Sequence, residues 1–282
     1  MILPKKLILN FTPTGMVPTQ AMTPHVPIES NAIIEQVHEV YDVGITLVHL
    51  HARENDTGEP TWRKEIYGHI MEGIRKHCPD LPLCISLSGR NFNEFEKRSE
   101  SLELYPDMGS LTLSSLNFSQ QASVNTPDMI QKLAAKMQTF GVHPELEVFD
   151  MGMIHYGLYL IKKGLLQPPF YWNIIAGNVA GMQTDLLEMG LAVKQLPENS
   201  IWAFGGIGKQ QLAANMLAIA SGGGVRTGLE DNIYYDYDKK ILATNLTLVK
   251  RIHALANLAE RPVMSPSEFG ALGFYNKKRS HA

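Results

Sequence analysis

The chain has 282 residues and a formal net charge of −3, and 44% of its residues are hydrophobic. This balance gives no electrostatic case for binding nucleic acid or an anionic membrane surface, and no apolar run reaches the length of a membrane span. Cys78 and Cys84 form neither a disulfide framework nor a C-x-x-C pair, and the N-terminus lacks a long apolar signal core. We therefore expect a cytoplasmic protein.

Short apolar segments alternate with segments whose apolar residues recur at helical spacing. The predicted strands are, in order, KLILNFTPTG, ITLVHLHAR, LPLCISLSG, GSLTLSSLNF, PELEVFD, FYWNIIAGN, SIWAFGGIG and GVRTGLED. A predicted helix follows each of the first seven strands, and the last helix, NLTLVKRIHALANLAE, comes after an irregular stretch. Thr126 and Pro127 mark the start of the fourth helix as its cap and first residue.

Alternation of strands and helices predicts a parallel sheet that is covered by helices on both faces. About eight such units in ~250 residues are what a closed (β/α)8 barrel, the TIM barrel, requires. A doubly wound open sheet is the rival, but no G-x-G-x-x-G follows the first strand, and GGIGKQ and SGGG have the wrong spacing. We predict an α/β protein with one TIM-barrel domain over residues 1–282 and a C-terminal tail from about residue 262.

Polar residues gather at the carboxyl ends of the predicted strands, which is where the chemistry of a TIM barrel takes place. Because buried polar side chains are costly without partners, their accumulation at one face of the barrel indicates a site. The residues concerned are Thr14, Gly15, His49, His51, Arg53, Ser86, Ser88, Ser110, Thr112, Glu145, Glu147, Arg226, Glu230 and Asp231.

His49 and His51 stand two residues apart in the second predicted strand. Alternation along a strand sends both imidazoles to the same face. Two imidazoles and one carboxylate, from Glu230 or Asp231, would make the three-ligand pattern of a catalytic zinc site. The alternative is a hydrogen-bonded histidine pair inside the barrel.

Arg226 lies in the eighth predicted strand and precedes two acids, Glu230 and Asp231. The three residues would either form an ion pair that closes the barrel or hold a carboxylate as a base. Ser86 and Ser110 would either bind a substrate or satisfy backbone groups at the strand ends.

Five motifs, VHLHAR, ISLSG, SLTLSSLNF, PELEVFDMGM and VRTGLEDN, together resemble the β-keto acid cleavage enzymes, the family of 3-keto-5-aminohexanoate cleavage enzyme. They occur in the family's order and spacing, and the likeness runs from about residue 7 to residue 265. The resemblance implies a TIM barrel, commonly a homo-tetramer, with a divalent metal that is usually Zn²⁺. It also implies an acyltransferase that condenses a β-keto acid with acetyl-CoA, giving acetoacetate and the CoA ester of the shortened acid.

The same resemblance assigns roles to individual residues. His49, His51 and Glu230 become the metal ligands, which would let zinc chelate the keto and carboxylate oxygens of the substrate. Asp231, paired with Arg226, becomes the base that removes the C2 proton, so that C2 attacks the thioester before a retro-Claisen cleavage.

The substrate side of the site is expected to include hydroxyl, backbone and carboxylate groups. Ser86 and Ser110 fall on the family's hydroxyl positions, and Glu147 belongs to its E-x-E strand. We also expect Thr14 and Gly15, at the end of the first strand, to contact the substrate.

Two positions depart from the family pattern. Val17 stands where the aminohexanoate enzyme has a glutamate for the substrate's amino group, which argues against an amino-substituted substrate and for an uncharged or differently anchored β-keto acid. Gly224 replaces the family's histidine before the V-R motif.

The remaining alternatives are another metal-dependent TIM-barrel hydrolase, a CoA-ester lyase, and a non-catalytic barrel that binds a metal or metabolite. Amidohydrolases place H-x-H on the first strand and need further histidines at later strand ends, which this sequence lacks. The pair of Arg226 with Asp231 argues against a non-catalytic barrel.

Overall fold

A computed structural model describes residues 6–279. These residues form twelve strands: β1 (Leu9–Phe11), β2 (Leu47–Leu50), β3 (Ala52–Arg53), β4 (Pro60–Thr61), β5 (Leu83–Ile85), β6 (Met108–Thr112), β7 (Leu116–Asn117), β8 (Ala122–Ser123), β9 (His143–Val148), β10 (Phe170–Ala176), β11 (Ser200–Gly206) and β12 (Gly224–Thr227). Eight of the strands close into a parallel barrel in the order β1, β12, β11, β10, β9, β6, β5 and β2. The closed parallel barrel confirms the predicted fold class.

Helices connect the successive barrel strands, and the last two helices follow β12. They are α1 (Ser30–Val43), α2 (Lys64–His77), α3 (Phe95–Ser99), α4 (Pro127–Phe140), α5 (Met151–Lys162), α6 (Leu186–Gln195), α7 (Gln211–Ser221), α8 (Asn245–Leu258) and α9 (Pro266–Phe269), with short 3-10 turns at Glu100–Leu104 and Gly208–Gln210. Thr126 caps α4 as predicted, because its side chain accepts a hydrogen bond from the Met129 N–H. None of the helices within residues 6–279 combines the length and the apolar character needed to cross a membrane.

The barrel strands end earlier than the sequence pattern predicts, and two of them lead into small hairpins. The chain leaves the barrel after Leu50 and after Thr112, and the residues that follow enter two small antiparallel hairpins, β3–β4 and β7–β8. Apolar alternation continues into these hairpins, so it does not mark where the barrel ends. The hairpins rise around the carboxyl ends of the strands and form part of the wall of the cavity there.

The segment after α8 closes the amino-terminal end of the barrel. Met264 N–H donates to the Leu7 carbonyl oxygen at 2.7 Å, and the chain then turns under the strands. Phe269 and Phe274 stack with ring centroids 4.4 Å apart, and both pack against Tyr171 at the start of β10. The division into one domain and a tail from about residue 262 stays a prediction.

Candidate active site

A cavity of about 1130 Å³ opens at the carboxyl end of the barrel. Such a position is where TIM-barrel enzymes carry their chemistry. Its lining includes nine of the polar residues that the sequence singled out for this end of the barrel: His51, Arg53, Ser86, Ser88, Thr112, Glu147, Arg226, Glu230 and Asp231.

Three side chains meet at the base of the cavity. His49 comes from β2, His51 directly follows that strand, and Glu230 lies in the loop after β12. The Nε2 atoms of the two histidines are 3.3 Å apart, and His51 Nε2 lies 3.2 Å from Glu230 Oε1. One ligand atom of each residue lies within 4.8 Å of the other two, so the group can hold a metal ion.

A buried acceptor atom without a partner supports the interpretation of this cluster as a metal site. Glu230 Oε2 is buried and has no hydrogen-bond partner within residues 6–279. An unpaired buried carboxylate oxygen is costly, and a cation between it and the two imidazoles would remove that cost. The donor set of two imidazoles and one carboxylate is one that catalytic zinc sites use.

Gly15 and Arg53 hold Glu230 in place from the side of the first loop. A Cβ at Gly15 would lie 2.5 Å from Glu230 Cγ, and the Gly15 φ of +66° is left-handed, so a glycine is required at this contact. Arg53 donates to three carbonyl oxygens, those of Gly15 at 2.8 Å, Pro18 at 3.0 Å and Gly58 at 2.8 Å. The loop that packs against Glu230 is therefore fixed by a buried guanidinium.

Glu145 lies beneath the histidines, inside the barrel. His49 Nδ1 is 2.6 Å from Glu145 Oε2, and the amides of Asn10 and Asn173 donate to Glu145 Oε1 at 2.6 and 3.1 Å. The Cys84 thiol donates to Glu145 Oε2 at 3.3 Å. A carboxylate that accepts a hydrogen bond from Nδ1–H leaves Nε2 of His49 as the atom that could bind a metal. Metal-binding histidines are commonly oriented in this way.

The two histidines differ in proton affinity. Burial lowers the pKa of His49, but the carboxylates of Glu145 and Glu230 outweigh it and raise that pKa to about 9. Burial dominates at His51 and lowers its pKa to about 4, although Glu230 lies beside it. Without a metal, His49 thus carries a proton near neutral pH and His51 does not.

Arg226 joins the two acids that follow it. Its Nε donates to Asp231 Oδ2 at 2.8 Å, and its Nη2 donates to Glu230 Oε1 at 2.6 Å. Nη1 of Arg226 is buried and has no partner among the residues described. Burial raises the pKa of the Asp231 carboxyl, and Glu230 raises it further, whereas Arg226 lowers it. The result is a carboxylate with more basic character than an exposed aspartate.

The residues expected on the substrate side fall into two groups. Ser86 and Glu147 line the cavity, and Glu147 Oε2 accepts a hydrogen bond from the Thr112 hydroxyl at 2.6 Å. Ser110, Thr14 and Gly15 are not among its lining residues. The Ser110 hydroxyl instead accepts from the Leu87 N–H at 3.0 Å, which satisfies a backbone donor at the end of β5.

Sequence reasoning gave no role to Glu145 and did not single out Arg90. The signal for Glu145 was its position two residues before Glu147, which puts both carboxylates on the same side of one strand. Arg90 follows the ISLSG motif and lines the cavity. A charged residue directly after a barrel strand was the available signal for it.

The chain is similar to known proteins over nearly its whole length. Residues 6–272 match the β-keto acid cleavage enzyme family. The 3-keto-5-aminohexanoate cleavage enzyme of Fusobacterium nucleatum is 36% identical over 267 residues, which cover 94% of this chain and 96% of that protein. The 3-oxoadipate:acetyl-CoA acetyltransferase of Cupriavidus necator is 34% identical over 269 residues, covering 94% and 93%.

Among solved structures, apo ObcA has the same fold, with a TM-score of 0.81 at 18% identity over 91% of this chain and 67% of that one. The family match extends over nearly the whole chain, and the relatives above are matched over almost their full length. On these grounds the chain belongs to the β-keto acid cleavage enzyme family.

Proposed function

We propose that this protein cleaves a β-keto acid with acetyl-CoA, giving acetoacetate and a shorter acyl-CoA, in a metal-dependent acyltransferase reaction. The observation that carries the proposal is the Arg226 bridge. It joins Glu230, which faces the histidines, to Asp231, which lines the cavity. The carboxylate that we propose as a metal ligand and the one that we propose as the base are thus held side by side by one guanidinium, which supports the proposal.

His49, His51 and Glu230 would hold the metal, which we propose to be Zn²⁺ because of the donor set. When bound, the ion would supply Lewis acidity that polarises the substrate's keto group and stabilises negative charge on the enolate. Glu145 would act as a positioning residue by fixing the His49 ring through Nδ1.

Asp231 would start the reaction by taking a proton from C2 of the β-keto acid. The C2 carbanion then forms a bond to the thioester carbon of acetyl-CoA, and the CoA thiolate leaves. The free Nη1 of Arg226 is placed to donate to the oxyanion that develops in this step. We propose that Ser86 and Glu147 orient the substrate, and that Ser110, Thr14 and Gly15 support the wall behind it.

The second half returns the proton. The CoA thiolate adds to the original keto carbon, the bond between that carbon and C2 breaks, and the electron pair stays on C2. The protonated Asp231 carboxyl gives its proton back to the resulting acetoacetate fragment. One β-keto acid and one acetyl-CoA are thereby converted into one acetoacetate and one acyl-CoA, with no further reactant.

We also propose a cytoplasmic homo-tetramer, on the basis of the family resemblance. Leu186 and Leu187 at the start of α6 are each 69% exposed, and Leu191 on the same helix is 44% exposed. Such an apolar surface suits a subunit contact. Analytical ultracentrifugation of the purified protein tests the assembly state.

The deciding experiment combines acetyl-CoA, a panel of β-keto acids and a metal analysis of the same sample. We expect acetoacetate and a new acyl-CoA in equal amounts by mass spectrometry, and loss of both after chelation or in His49→Ala. His69→Ala removes an exposed histidine on α2 and serves as the matched control. Bound metal without acetoacetate from any acid would contradict the proposal and favour a hydrolase or a CoA-ester lyase.

A further inference from the structure

Three arginines line the cavity, and they differ in what their guanidinium groups bind. Arg53 is occupied by backbone carbonyl oxygens, and Arg226 is occupied by two carboxylates. Arg90 makes no side-chain hydrogen bond and no ion pair within residues 6–279, and its Nε is buried without a partner. The cavity therefore contains a half-buried guanidinium that is free to bind an anion.

Phe118 fixes the orientation of this guanidinium. Arg90 Cζ lies 3.7 Å from the centroid of the Phe118 ring, a distance at which the flat face of the group rests on the ring. Stacking occupies the face and leaves the N–H groups at the edge, which are the donors that bind a carboxylate in a bidentate manner.

The backbone around Arg90 is fixed before any ligand binds. The Gly89 carbonyl oxygen accepts from Val124 N–H at 3.1 Å, and a Cβ on Gly89 would lie 2.3 Å from the Val124 carbonyl oxygen. Arg98, which is buried, donates to the Leu87 carbonyl oxygen through Nε and Nη2, at 2.9 and 2.7 Å. The loop that carries Arg90 is thus hydrogen-bonded to Val124, which directly follows the β7–β8 hairpin. Phe118 lies in that hairpin, between its two strands.

Arg90 lines the same cavity as three acids of the candidate site. Burial lowers the pKa of its guanidinium, and the carboxylates of Glu230, Glu147 and Asp231 oppose that shift. Lys239 also lines the cavity and could bind an anion, but its side chain is exposed to solvent. Arg90 therefore faces the interior, where a substrate rather than solvent would meet it.

We propose that Arg90 binds a second carboxylate at the far end of the substrate, so that the enzyme acts on dicarboxylic β-keto acids. The inference rests on the proposed function. In that reaction the keto group and the first carboxylate lie at the metal-binding residues, so Arg90 is left for an anionic group beyond the keto carbon. Val17 also lines the cavity and offers no charge to a cationic substituent.

A charge series on one carbon skeleton tests the proposal. The probes are 3-oxoadipate, 3-oxohexanoate and 3-keto-5-aminohexanoate, whose distal groups are anionic, neutral and cationic. We expect kcat/KM to be highest for 3-oxoadipate, exceeding that for 3-oxohexanoate by about 10- to 100-fold, the range for hydrogen bonds to a charged group. Arg90→Met should remove this preference and retain turnover of 3-oxohexanoate.

Lys239→Met is the matched control, since it removes one positive charge from the rim and should leave the ratio of the two kcat/KM values unchanged. If Arg90→Met lowers kcat/KM for all three acids equally, Arg90 binds CoA or the common carboxylate, and the proposal is overturned. Equal turnover of the anionic and neutral acids by the unchanged enzyme overturns it as well.

Calorimetric titration of the zinc-loaded enzyme with each acid separates this inference from the proposed reaction. Arg90-dependent binding of 3-oxoadipate without any acetoacetate would support the carboxylate site and overturn only the cleavage reaction. Acetoacetate from 3-oxohexanoate alone would support the reaction and overturn the assignment of Arg90. Absence of both binding and turnover would overturn the two together.

Discussion

The two ends of the barrel interior differ in chemistry. At the amino-terminal end, Phe269, Phe274 and Tyr171 fill the space with stacked and edge-on rings. At the carboxyl end, histidines, acids and arginines surround a cavity. Several buried polar atoms there have no partner among residues 6–279, including Glu230 Oε2 and Arg226 Nη1.

An unpaired buried polar group costs about 1–3 kcal/mol, so the carboxyl end is less stable than it would be with apolar residues. The aromatic closure at the other end has a single such atom, the Tyr171 hydroxyl, and its rings contribute stability through packing. Folding and chemistry therefore depend on different residues along one axis of the barrel, and substitutions at each end should affect one property and spare the other.

Asp231→Asn should have the largest effect on activity. The amide keeps the size of the side chain but cannot accept the C2 proton, so we expect kcat to fall by about 10²- to 10⁴-fold. Because burial raises the pKa of Asp231, the acid limb of the pH profile should lie above the ordinary aspartate range and should disappear in the variant. Steady-state kinetics across pH, with circular dichroism as the folding control, measure both. A variant with wild-type kcat would exclude Asp231 as the base.

Glu145→Gln should weaken the binding of the metal rather than the binding of the substrate. Loss of the charge that holds His49 Nδ1 should weaken metal affinity by about 10- to 100-fold. In the metal-free variant the pKa of His49 should drop from about 9, which NMR titration would detect. Glu147→Gln, two residues further along β9, provides the control and should bind metal as the unchanged protein does. Equal losses in both variants would mean that the effect is a general one of charge in the barrel.

Metal affinity should depend on pH through one proton. His49 must lose its proton from Nε2 to bind a metal, so apparent affinity should rise about tenfold for each pH unit below about 9 and then level off. His51 has a pKa of about 4 and does not compete in this range. Competition with a chelator at several pH values gives the slope. A flat profile between neutral pH and the plateau would show that His49 is already deprotonated.

Phe274→Ala should have the smallest effect on activity and a large one on stability. Removing a fully buried ring that stacks on Phe269 should lower the free energy of unfolding by about 3–5 kcal/mol. Leu272→Ala, at a position 45% exposed in the same segment, should change it little. Urea unfolding measures stability, and kcat is compared at a temperature where both variants are folded. A changed kcat in Phe274→Ala would show that the two ends of the barrel are coupled.

The sequence allowed the barrel and the convergence of the candidate metal-site residues to be predicted for a clear physical reason. Alternation of strand and helix indicates βα units, and the carboxyl ends of parallel strands converge, so His49 could be brought together with Glu230 or Asp231 without coordinates. The position of His51 was predicted for the same reason, although the residue lies just beyond the strand and not in it. The choice of Glu230 came from the family resemblance.

The roles of Glu145, Ser110 and Arg90 could not be derived in the same way. The contact of Glu145 with His49 crosses the barrel interior and depends on the pairing of strands far apart in sequence. Whether Ser110 faces the cavity or a backbone N–H is decided by neighbouring main chain, and the side chain of Arg90 is directed by Phe118 in a separate hairpin region. These are features of register and loop geometry, which local patterns do not encode.

The loop clamped by Arg53 has a consequence for how substrate range can change by mutation. Its first part, at Gly15, packs against Glu230 of the candidate metal site, whereas Val17 two residues later lines the cavity. Because the Gly15 and Pro18 carbonyl oxygens are both held by Arg53, residues 16 and 17 lie on a short bridge with fixed ends. A library that varies these two positions and keeps the clamp would explore new substrates while the packing around Glu230 stays unchanged.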